Sequence, residues 1–400
     1  MKIGIIREGK TPADSRVPLS PKQCLKLISE GYDITVQNSM VRCFPDSSYN
    51  ILGIPMADTV DNCDILLGVK EVPISELIPN KTYFFFSHTI KAQSYNQKLL
   101  KACVEKNIRL IDYEVLTDSN QKRVIAFGKF AGMVGAHNAL WAYCEGLGKN
   151  PLPRMHSLKD YAEAVDIYKS TKFPKARIVL TGTGRVSSGA VQVLEDMGIK
   201  RVRPIEYVKN TYDHPVFTQL SCFYYARRKD GQAFDNIQDF YRNPQDYASD
   251  FHHFLSCTDI MINGIYWDNK APAFFTKEEM NNDDFSIKVI ADVTCDIAPV
   301  SSIPSTIKAS TIANPVFGYD SKTGKETQPY SSRSVDMMTI DNLPNELPRD
   351  ASVAFGNMFI EHIIPELSKE ESDVLDKATI AKDGNLGSHF EYLRSYLEGA

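Results

Sequence analysis

Apolar residues fall in short runs separated by longer amphipathic stretches through the first 320 residues, the alternation of βα units built on parallel sheets. In the first third this predicts strands at Lys2–Ile6, Asp33–Gln37, Ile65–Val69, Thr82–Phe86 and Arg109–Asp112. Helices are expected between them at Pro21–Glu30, with Ser20-Pro21 as N-cap and first turn, and at Ala92–Lys106. A Gly/Ala-rich apolar stretch from Phe127 to Leu147 reads as a closely packed linking helix. Gly148-Lys149-Asn150-Pro151-Leu152-Pro153 then breaks it and marks a domain boundary. A second α/β unit opens with a strand over Ile178–Leu180 and continues with strands near Val202–Tyr207, Asp259–Asn263 and Lys288–Asp292. The polar run after Phe317, Gly318 to Lys325, reads as an exposed loop. In the tail, Phe355, Met358, Phe359, His362 and Ile363 recur on one helical face, and such a helix packs back on an earlier domain.

The chain has 400 residues, too many for one compact core and enough for two or three domains. Lys plus Arg number 45 against 50 Asp plus Glu, a net charge of −5, which argues against a surface that coats nucleic acid or an anionic membrane. No run approaches the roughly 18 apolar residues of a spanning helix. The opening Met1-Lys2-Ile3-Gly4-Ile5-Ile6-Arg7-Glu8 is charged too early for a signal peptide. The eight cysteines are scattered with no C-x-x-C pair, the pattern of reduced thiols, so a cytoplasmic protein without a structural metal is expected. His252-His253 reads as surface rather than as a metal site.

Two constellations carry candidate chemistry. Thr181-Gly182-Thr183-Gly184-Arg185-Val186-Ser187-Ser188-Gly189 lies between a strand and a helix, where glycines let the backbone approach a pyrophosphate set on the helix N-terminus. The third fingerprint position is Ser187, with Gly189 two residues on. Glu206, at the end of the next expected strand, stands where a ribose-binding carboxylate belongs. The alternative is a tight turn that binds nothing. In the first domain Arg16, Lys70 and His88 each follow a strand, as do Glu71, Glu114 and Arg123. Parallel strands share one carboxyl edge, so these groups are expected to converge there. A lysine beside a histidine and carboxylates has the shifted proton affinities of acid–base catalysis. Taken singly, each reads as an ordinary loop cation or surface ion-pair partner.

Gly68-Val69-Lys70-Glu71-Val72-Pro73, Tyr83-Phe84-Phe85-Phe86-Ser87-His88-Thr89-Ile90-Lys91-Ala92-Gln93 and Arg109-Leu110-Ile111-Asp112-Tyr113-Glu114 resemble the lysine-forming saccharopine dehydrogenases. The likeness is strongest to the lysine–2-oxoglutarate reductase half of bifunctional aminoadipic semialdehyde synthase. It extends through Arg123-Val124-Ile125-Ala126-Phe127-Gly128, Asn263-Gly264-Ile265-Tyr266-Trp267, Ala291-Asp292-Val293-Thr294-Cys295-Asp296 and Ile340-Asp341-Asn342-Leu343-Pro344. Broader relatives are alanine dehydrogenase and the nucleotide-binding subunit of transhydrogenase. The resemblance implies an α/β protein of two Rossmann-like parallel-sheet domains facing across a cleft. Residues 1–130, completed by 320–400, would bind substrate, and 131–319 would bind the dinucleotide.

The implied reaction joins the ε-amine of lysine to 2-oxoglutarate and reduces the imine to saccharopine with a reduced nicotinamide, or runs in reverse. By resemblance Lys70 and His88 are the acid–base pair, and Arg16 and Arg123 hold substrate carboxylates. Glu71 and Glu114 lie near the lysine amine, and Asp341 lies beside nicotinamide and substrate. Gly182, Gly184, Arg185, Val186, Glu206, Asn263 and Asp292 would hold the cofactor. Glu206 suits NAD, whereas the resemblance implies NADP, which Arg227-Arg228-Lys229 would serve by meeting a 2′-phosphate; NADP is the expectation. Because the chain ends at Ala400, the second enzyme of the bifunctional protein is expected to be absent. The expected partners are small molecules, with no nucleic acid and no membrane, and a homo-oligomer is left open. Competing readings are an alanine dehydrogenase-like amino-acid dehydrogenase and a non-catalytic nicotinamide-nucleotide-binding subunit. The Phe-Ser-His-Thr-Ile-Lys-Ala-Gln and Ile-Asp-Asn-Leu-Pro stretches and the Lys70–His88 pair weigh against both.

Overall fold

The computed structural model describes residues 1–149 and 151–399; Asn150, inside the expected break, and Ala400 lie outside the described residues. Two compact α/β units form, one from Met1–Phe127 with Pro348–Ala400 and the other from Gly128–Leu347. The first unit contributes β1 (Lys2–Ile5), β2 (Asp33–Gln37), β3 (Met56–Ala57), β4 (Ile65–Leu67), β5 (Thr82–Phe85) and β6 (Arg109–Asp112). The second contributes β7 (Arg177–Thr181), β8 (Lys200–Arg201), β9 (Val216–Leu220), β10 (Ala226–Arg228), β11 (Tyr247–Ser249), β12 (Ile260–Asn263), β13 (Val289–Asp292), β14 (Val316–Asp320), β15 (Lys325–Thr327) and β16 (Ser334–Met338). The tail returns to the first unit as β17 (Thr379–Lys382) and β18 (Asn385–Leu386). The helices that matter below are α1 (Pro21–Ser29), α2 (Gln97–Glu105), α3 (Gly128–Gly146), α4 (Arg185–Asp196), α5 (Pro204–Lys209) and α6 (Pro348–His362). Among the described residues no helix is long and apolar enough to cross a membrane.

The first sheet runs β18-β17-β6-β5-β4-β1-β2-β3. Strands β1 to β6 pair in parallel, with Ile5 opposite Leu67 and Phe84 opposite Ile111. Ile3, Ile5, Leu66, Leu67, Phe84, Phe85, Leu110 and Ile111 are buried, as both faces of a covered parallel sheet demand. Because these strands are parallel and in register, the segments holding Glu8, Lys70, His88 and Glu114 all leave one carboxyl edge. Helix α1 begins as expected: the backbone N–H of Ser20 donates to Gln23 Oε1 at 2.9 Å, and Pro21 opens the first turn. Of the face its spacing predicted, helix α6 buries Phe355 and Phe359, with Ile363 buried just beyond it, while Met358 is half-buried and His362 exposed. The Phe355 ring meets Tyr113 at 4.9 Å, edge to face, and stacks on Phe127 at 5.0 Å. This aromatic layer floors the carboxyl edge.

The second sheet runs β15-β14-β16-β13-β12-β7-β9-β8 and departs from the expected plan in three places. The strand expected at Val202–Tyr207 does not form. Pro204 instead opens α5, and only Lys200–Arg201 pair as β8 on the sheet edge. The neighbour of β7 is β9, which the pattern did not mark. The polar run after Phe317 is a turn only at 321–324, because Val316–Asp320 pairs with both β16 and β15. Residues 320–347, expected with the first domain, therefore belong to the second unit, whose bounds are 128 and 347. Between β9 and β12 the chain inserts the β10–β11 hairpin and its aromatic cluster, with Phe240 edge to face on Tyr247 at 5.0 Å.

The Gly/Ala-rich linking helix is α3, and its composition is a packing requirement. A Cβ on Gly132 would lie 1.7 Å from the carbonyl oxygen of Val186, and one on Gly189 would lie 1.9 Å from that of Lys129. Helices α3 and α4 thus touch backbone to backbone. Gly132→Ala should destabilise the protein by about 3 kcal/mol or more, since the clash is with main chain that cannot swing away. Gly184→Ala, where a Cβ meets nothing within 4 Å, is the control. Equal thermal unfolding midpoints for the two variants would refute the close crossing.

Candidate active site

At the carboxyl edge of the first sheet, the turn after β4 presents Lys70 and Glu71, and the turn after β5 presents His88. His88 holds a left-handed backbone (φ 53°), so its conformation is imposed by its surroundings. Its Nδ1 lies 2.6 Å from Glu71 Oε1, while Lys10 Nζ donates to Glu71 Oε2 at 2.7 Å. Lys70 was expected to act beside His88, but it is Glu71 that bonds the imidazole. The ammonium of Lys70 makes no hydrogen bond or ion pair among the described residues. Glu114, after β6, lies 3.9 Å from Arg123 Nη1 through Oε1, and its Oε2 is buried without a hydrogen-bond partner. Both arginines are seated on aromatic faces, Arg16 at 4.3 Å over Phe127 and Arg123 at 5.2 Å over Phe86. Asp14 takes the Nε and Nη2 edge of the Arg16 fork at 2.9 and 2.6 Å, and Arg123 Nε donates to the carbonyl of Ile125 at 2.8 Å.

Charge distribution sets the proton affinities of this edge. Burial drives the Lys70 ammonium toward its neutral form, and the cations of Arg16 and Lys10 push the same way, against Glu71 and Asp14. Burial alone would raise the Glu71 carboxyl, but the hydrogen bonds from His88 and Lys10 outweigh it and hold the group at about 2. An ionised Glu71 can only accept, so the His88 proton sits on Nδ1 and Nε2 is left as the working nitrogen. Three further groups, which sequence reasoning missed, complete the edge: Glu8, Lys10 and Asp14, all in the loop after β1. Glu8 accepts the backbone N–H of Val69 at 2.7 Å and of Lys70 at 2.8 Å. Burial and the charge of Asp14 push its carboxyl up to about 7, against the two amides and Arg16. Their one sequence signal was position after a strand, the same rule that selected Lys70.

The second unit holds the glycine loop. Gly182 has φ 93°, and a Cβ there would lie 2.8 Å from Ser187 Oγ and 2.9 Å from the carbonyl of Gly264. Gly184 caps α4, twelve residues long, and the space around it is open. Arg185 and Val186 form the first turn of that helix. An open helix N-terminus behind a cramped glycine fits a nicotinamide nucleotide, whose pyrophosphate needs free backbone amides and no side chain in the way. Ser187, in place of the third glycine, donates to the carbonyl of Thr181 at 3.0 Å. Asn263 and Asp292 end their strands as expected, but both are buried and engaged with each other. Asn263 bonds Thr181, Asp292 and Ser302, and Asp292 also takes Thr306 and the amide of Cys295.

Other candidates stand apart from that loop. Glu206 does not end a strand: it lies in the first turn of α5 and pairs with Arg203 at 2.6 Å. The neighbouring strand β9 ends in Leu220-Ser221, with no carboxylate. Within the insert, Arg228 is held by Asp230 and Asp239, Arg227 lies 3.7 Å from Asp250, and Lys229 donates to the carbonyl of Gln245, so this basic run braces its own hairpin. Asp341 is exposed in the second unit, after Ile340. Asp250, His252 and His253 bring ligand atoms within 4.8 Å of one another at the surface.

Residues 4–134 match the family described as alanine dehydrogenase/PNT, N-terminal domain. The chain is 30% identical over 445 residues to the alpha-aminoadipic semialdehyde synthase, mitochondrial, of Mus musculus, covering 98% of this chain and 47% of that protein. It is 28% identical over 393 residues to the saccharopine dehydrogenase (NAD(+), L-lysine-forming) of Emericella nidulans, covering 93% and 94%. The chain spans about half the length of the first of these relatives. An L-alanine dehydrogenase structure superposes over 100% of both chains with a TM-score of 0.66 at 15% identity, a likeness of fold. The resemblance carried by the motifs therefore extends along nearly the whole chain.

The raised carboxyl of Glu8 has a thermodynamic consequence. Between pH 4.5 and about 7 the folded protein keeps a proton that the unfolded chain has released, so this group's contribution to stability falls as pH rises through that window. Unfolding free energies of wild type minus Glu8→Gln, measured by urea titration across the window, should decline with pH. Parallel curves would show that Glu8 titrates normally.

Proposed function

From the match of residues 4–134 to the family described as alanine dehydrogenase/PNT, N-terminal domain, we propose that the chain is a saccharopine dehydrogenase of the lysine-forming kind. It would catalyse the reductive condensation of L-lysine with 2-oxoglutarate to saccharopine, or the reverse. The observation that carries the reading is the Glu71–His88 pair beside an unpartnered Lys70 of lowered proton affinity, at the strand ends of that domain. The nicotinamide supplies one hydride to the imine carbon. Everything else is proton and carboxylate handling by this chain.

The attacking ε-amine must be neutral, and Lys70 accepts its proton. Glu114 Oε2 then accepts a hydrogen bond from one of the two remaining N–H groups of the amine, which gives that buried oxygen the partner it lacks. His88, proton-loaded at Nε2, donates to the hydroxyl leaving the carbinolamine, and Glu71 stabilises the imidazolium in between. Arg16 and Arg123, braced against Phe127 and Phe86, meet the carboxylates of the keto acid with pre-set guanidinium planes. The carbinolamine forms by joining amine to carbonyl, and its dehydration releases one water, so atoms balance before hydride arrives.

NADP is the cofactor in this reading. No carboxylate stands at the end of β9 to repel a 2′-phosphate. Arg201 donates to Gln219 at 2.6 Å, and Gln219 to the carbonyl of Gly182 at 2.9 Å, which brings a cation to the glycine loop. The eight cysteines are free thiols, in keeping with a cytoplasmic setting.

The test is consumption of reduced nicotinamide in two arms, lysine with 2-oxoglutarate and pyruvate with ammonium. NADPH should be oxidised in the first arm only, and faster than NADH. His88→Ala should lower kcat by about 100-fold or more while leaving NADPH affinity unchanged. Turnover in the pyruvate arm alone would replace the substrate assignment, and a fully active His88→Ala would remove His88 from proton transfer. A preference for NADH would overturn the cofactor assignment.

A further inference from the structure

His88 stands at the head of a segment with little structure of its own. Between β5 and α2 the chain makes two short helical turns, Thr89–Lys91 and Ser94–Asn96. His88 at φ 53° and Ala92 at φ 51° hold left-handed backbones, one on each side of the first turn. Residues other than glycine rarely adopt that conformation, so the pair persists only where surrounding contacts impose it. On the strand side that contact is Asp112, which accepts the amide and hydroxyl of Ser87 at 2.8 and 2.5 Å. On the other side it is the tail.

After β18 the tail passes this segment as two helical turns, Ser388–Leu393 and Arg394–Glu398. Phe390 and Leu393 are buried in one core with Leu99, Leu100 and Cys103 of α2, an anchor that needs no polar group. From that anchor Tyr392 donates its hydroxyl to the carbonyl of Ile90 at 3.1 Å, across 302 residues of chain. Tyr396 donates to the carbonyl of Gln93 at 2.6 Å, and its own carbonyl accepts from Gln97 Nε2 at 2.5 Å. The two phenols thus catch the carbonyls on either side of Lys91-Ala92. Burial raises the proton affinity of both hydroxyls, so both remain donors through the neutral range. Tyr392 is 61% exposed, so its ring adds little to the core and its placement serves the hydrogen bond.

We propose that Tyr392 and Tyr396 are positioning residues for His88: their hydroxyls clasp the segment that carries the imidazole and so fix where Nε2 meets the substrate. The inference rests on the reading of His88 as proton donor and adds what that reading leaves open. The Glu71 bond fixes Nδ1, but a ring held at one nitrogen still swings the other if the backbone beneath it moves. A general acid must lie within hydrogen-bond reach of the leaving hydroxyl, and a small drift costs much of its effect. The tail acts on the reaction through His88 alone.

The test is the double variant Tyr392→Phe/Tyr396→Phe, which keeps both rings and removes both clasps. With lysine, 2-oxoglutarate and the preferred reduced nicotinamide, kcat should fall by about ten-fold. KM for 2-oxoglutarate, set by Arg16 and Arg123 on other segments, should not change. In the His88→Ala background the same pair should cost nothing further, because the residue it positions is gone. Tyr95→Phe, whose hydroxyl meets only Gln93 Oε1 in its own segment, is the control and should keep full kcat. Amide hydrogen exchange at residues 89–93 should quicken in the double variant while β5 keeps its protection. An unchanged kcat in the double variant, or an equal loss in the His88→Ala background, would overturn the positioning role. If wild type does not turn over lysine and 2-oxoglutarate, the reaction reading fails and exchange alone decides the clasp. Faster exchange at 89–93 would then uphold it, and unchanged protection would overturn it.

Discussion

Two carboxylates that accept backbone amides hold the working edge of the first sheet in shape. Glu8 reaches across 61 residues of chain to bond the amides of Val69 and Lys70. Asp112 accepts the amide and hydroxyl of Ser87 at 2.8 and 2.5 Å and the amide of Glu114 at 2.7 Å. Between them they tie the segments that follow β1, β4, β5 and β6. Leaving a buried amide without its acceptor costs about 1–3 kcal/mol, enough to hold His88 in a left-handed conformation it would not choose. Each functional side chain is therefore set by a neighbour that performs no chemistry. Removing one tie would let a loop, rather than a single side chain, drift.

The same edge shows how a lysine can be left unpartnered among carboxylates. Lys10 and His88 saturate Glu71, and Asp14 is engaged by the Arg16 fork. Burial is the main force against the Lys70 ammonium; Arg16 and Lys10 add positive potential, and Glu71 and Asp14, already engaged, only partly offset it. Glu114 is the complementary case, an anion with one oxygen left unanswered. A lysine inclined to its neutral form and an unanswered carboxylate oxygen on one edge are what an amine substrate requires.

How legible the chain was depended on burial. Strands β1, β4, β5 and β6 are covered on both faces, so they appear as unbroken apolar runs that only a buried parallel strand needs. β9 breaks its apolar run with Thr218 and Gln219 and went unmarked, while β14 and β15 lie toward the sheet edge with Asp320, Lys325 and Glu326, so the run they share looked like loop. Val202–Tyr207 has the apolar content of a strand, yet Pro204 opens a helix turn and Glu206 closes its capping box with Arg203. Glu206 was thus at the right distance along the chain but on the wrong element. Lys70 and His88 were placed at strand ends by the parallel pattern, and they lie there. Glu8, Lys10 and Asp14 obey the same rule but sit in an aperiodic loop, where no pattern separates a clamp from a solvated charge.

The first unit is discontinuous, and that governs how the molecule comes into being. Val17 bonds Ser352 from 335 residues away, and the antiparallel pairing of β17 with β6 joins the early chain to its tail. On a ribosome, residues 128–347 emerge as one uninterrupted stretch able to close its own sheet, while the earlier strands wait without the helix that covers Phe84 and Tyr113. Loop-closure entropy rises slowly with length, so a folded intervening unit that brings its own ends near each other shortens the effective loop the tail must span. Completion of the first sheet is therefore a late event in synthesis, and a nascent chain stalled before α6 would expose an aromatic layer to chaperones and proteases.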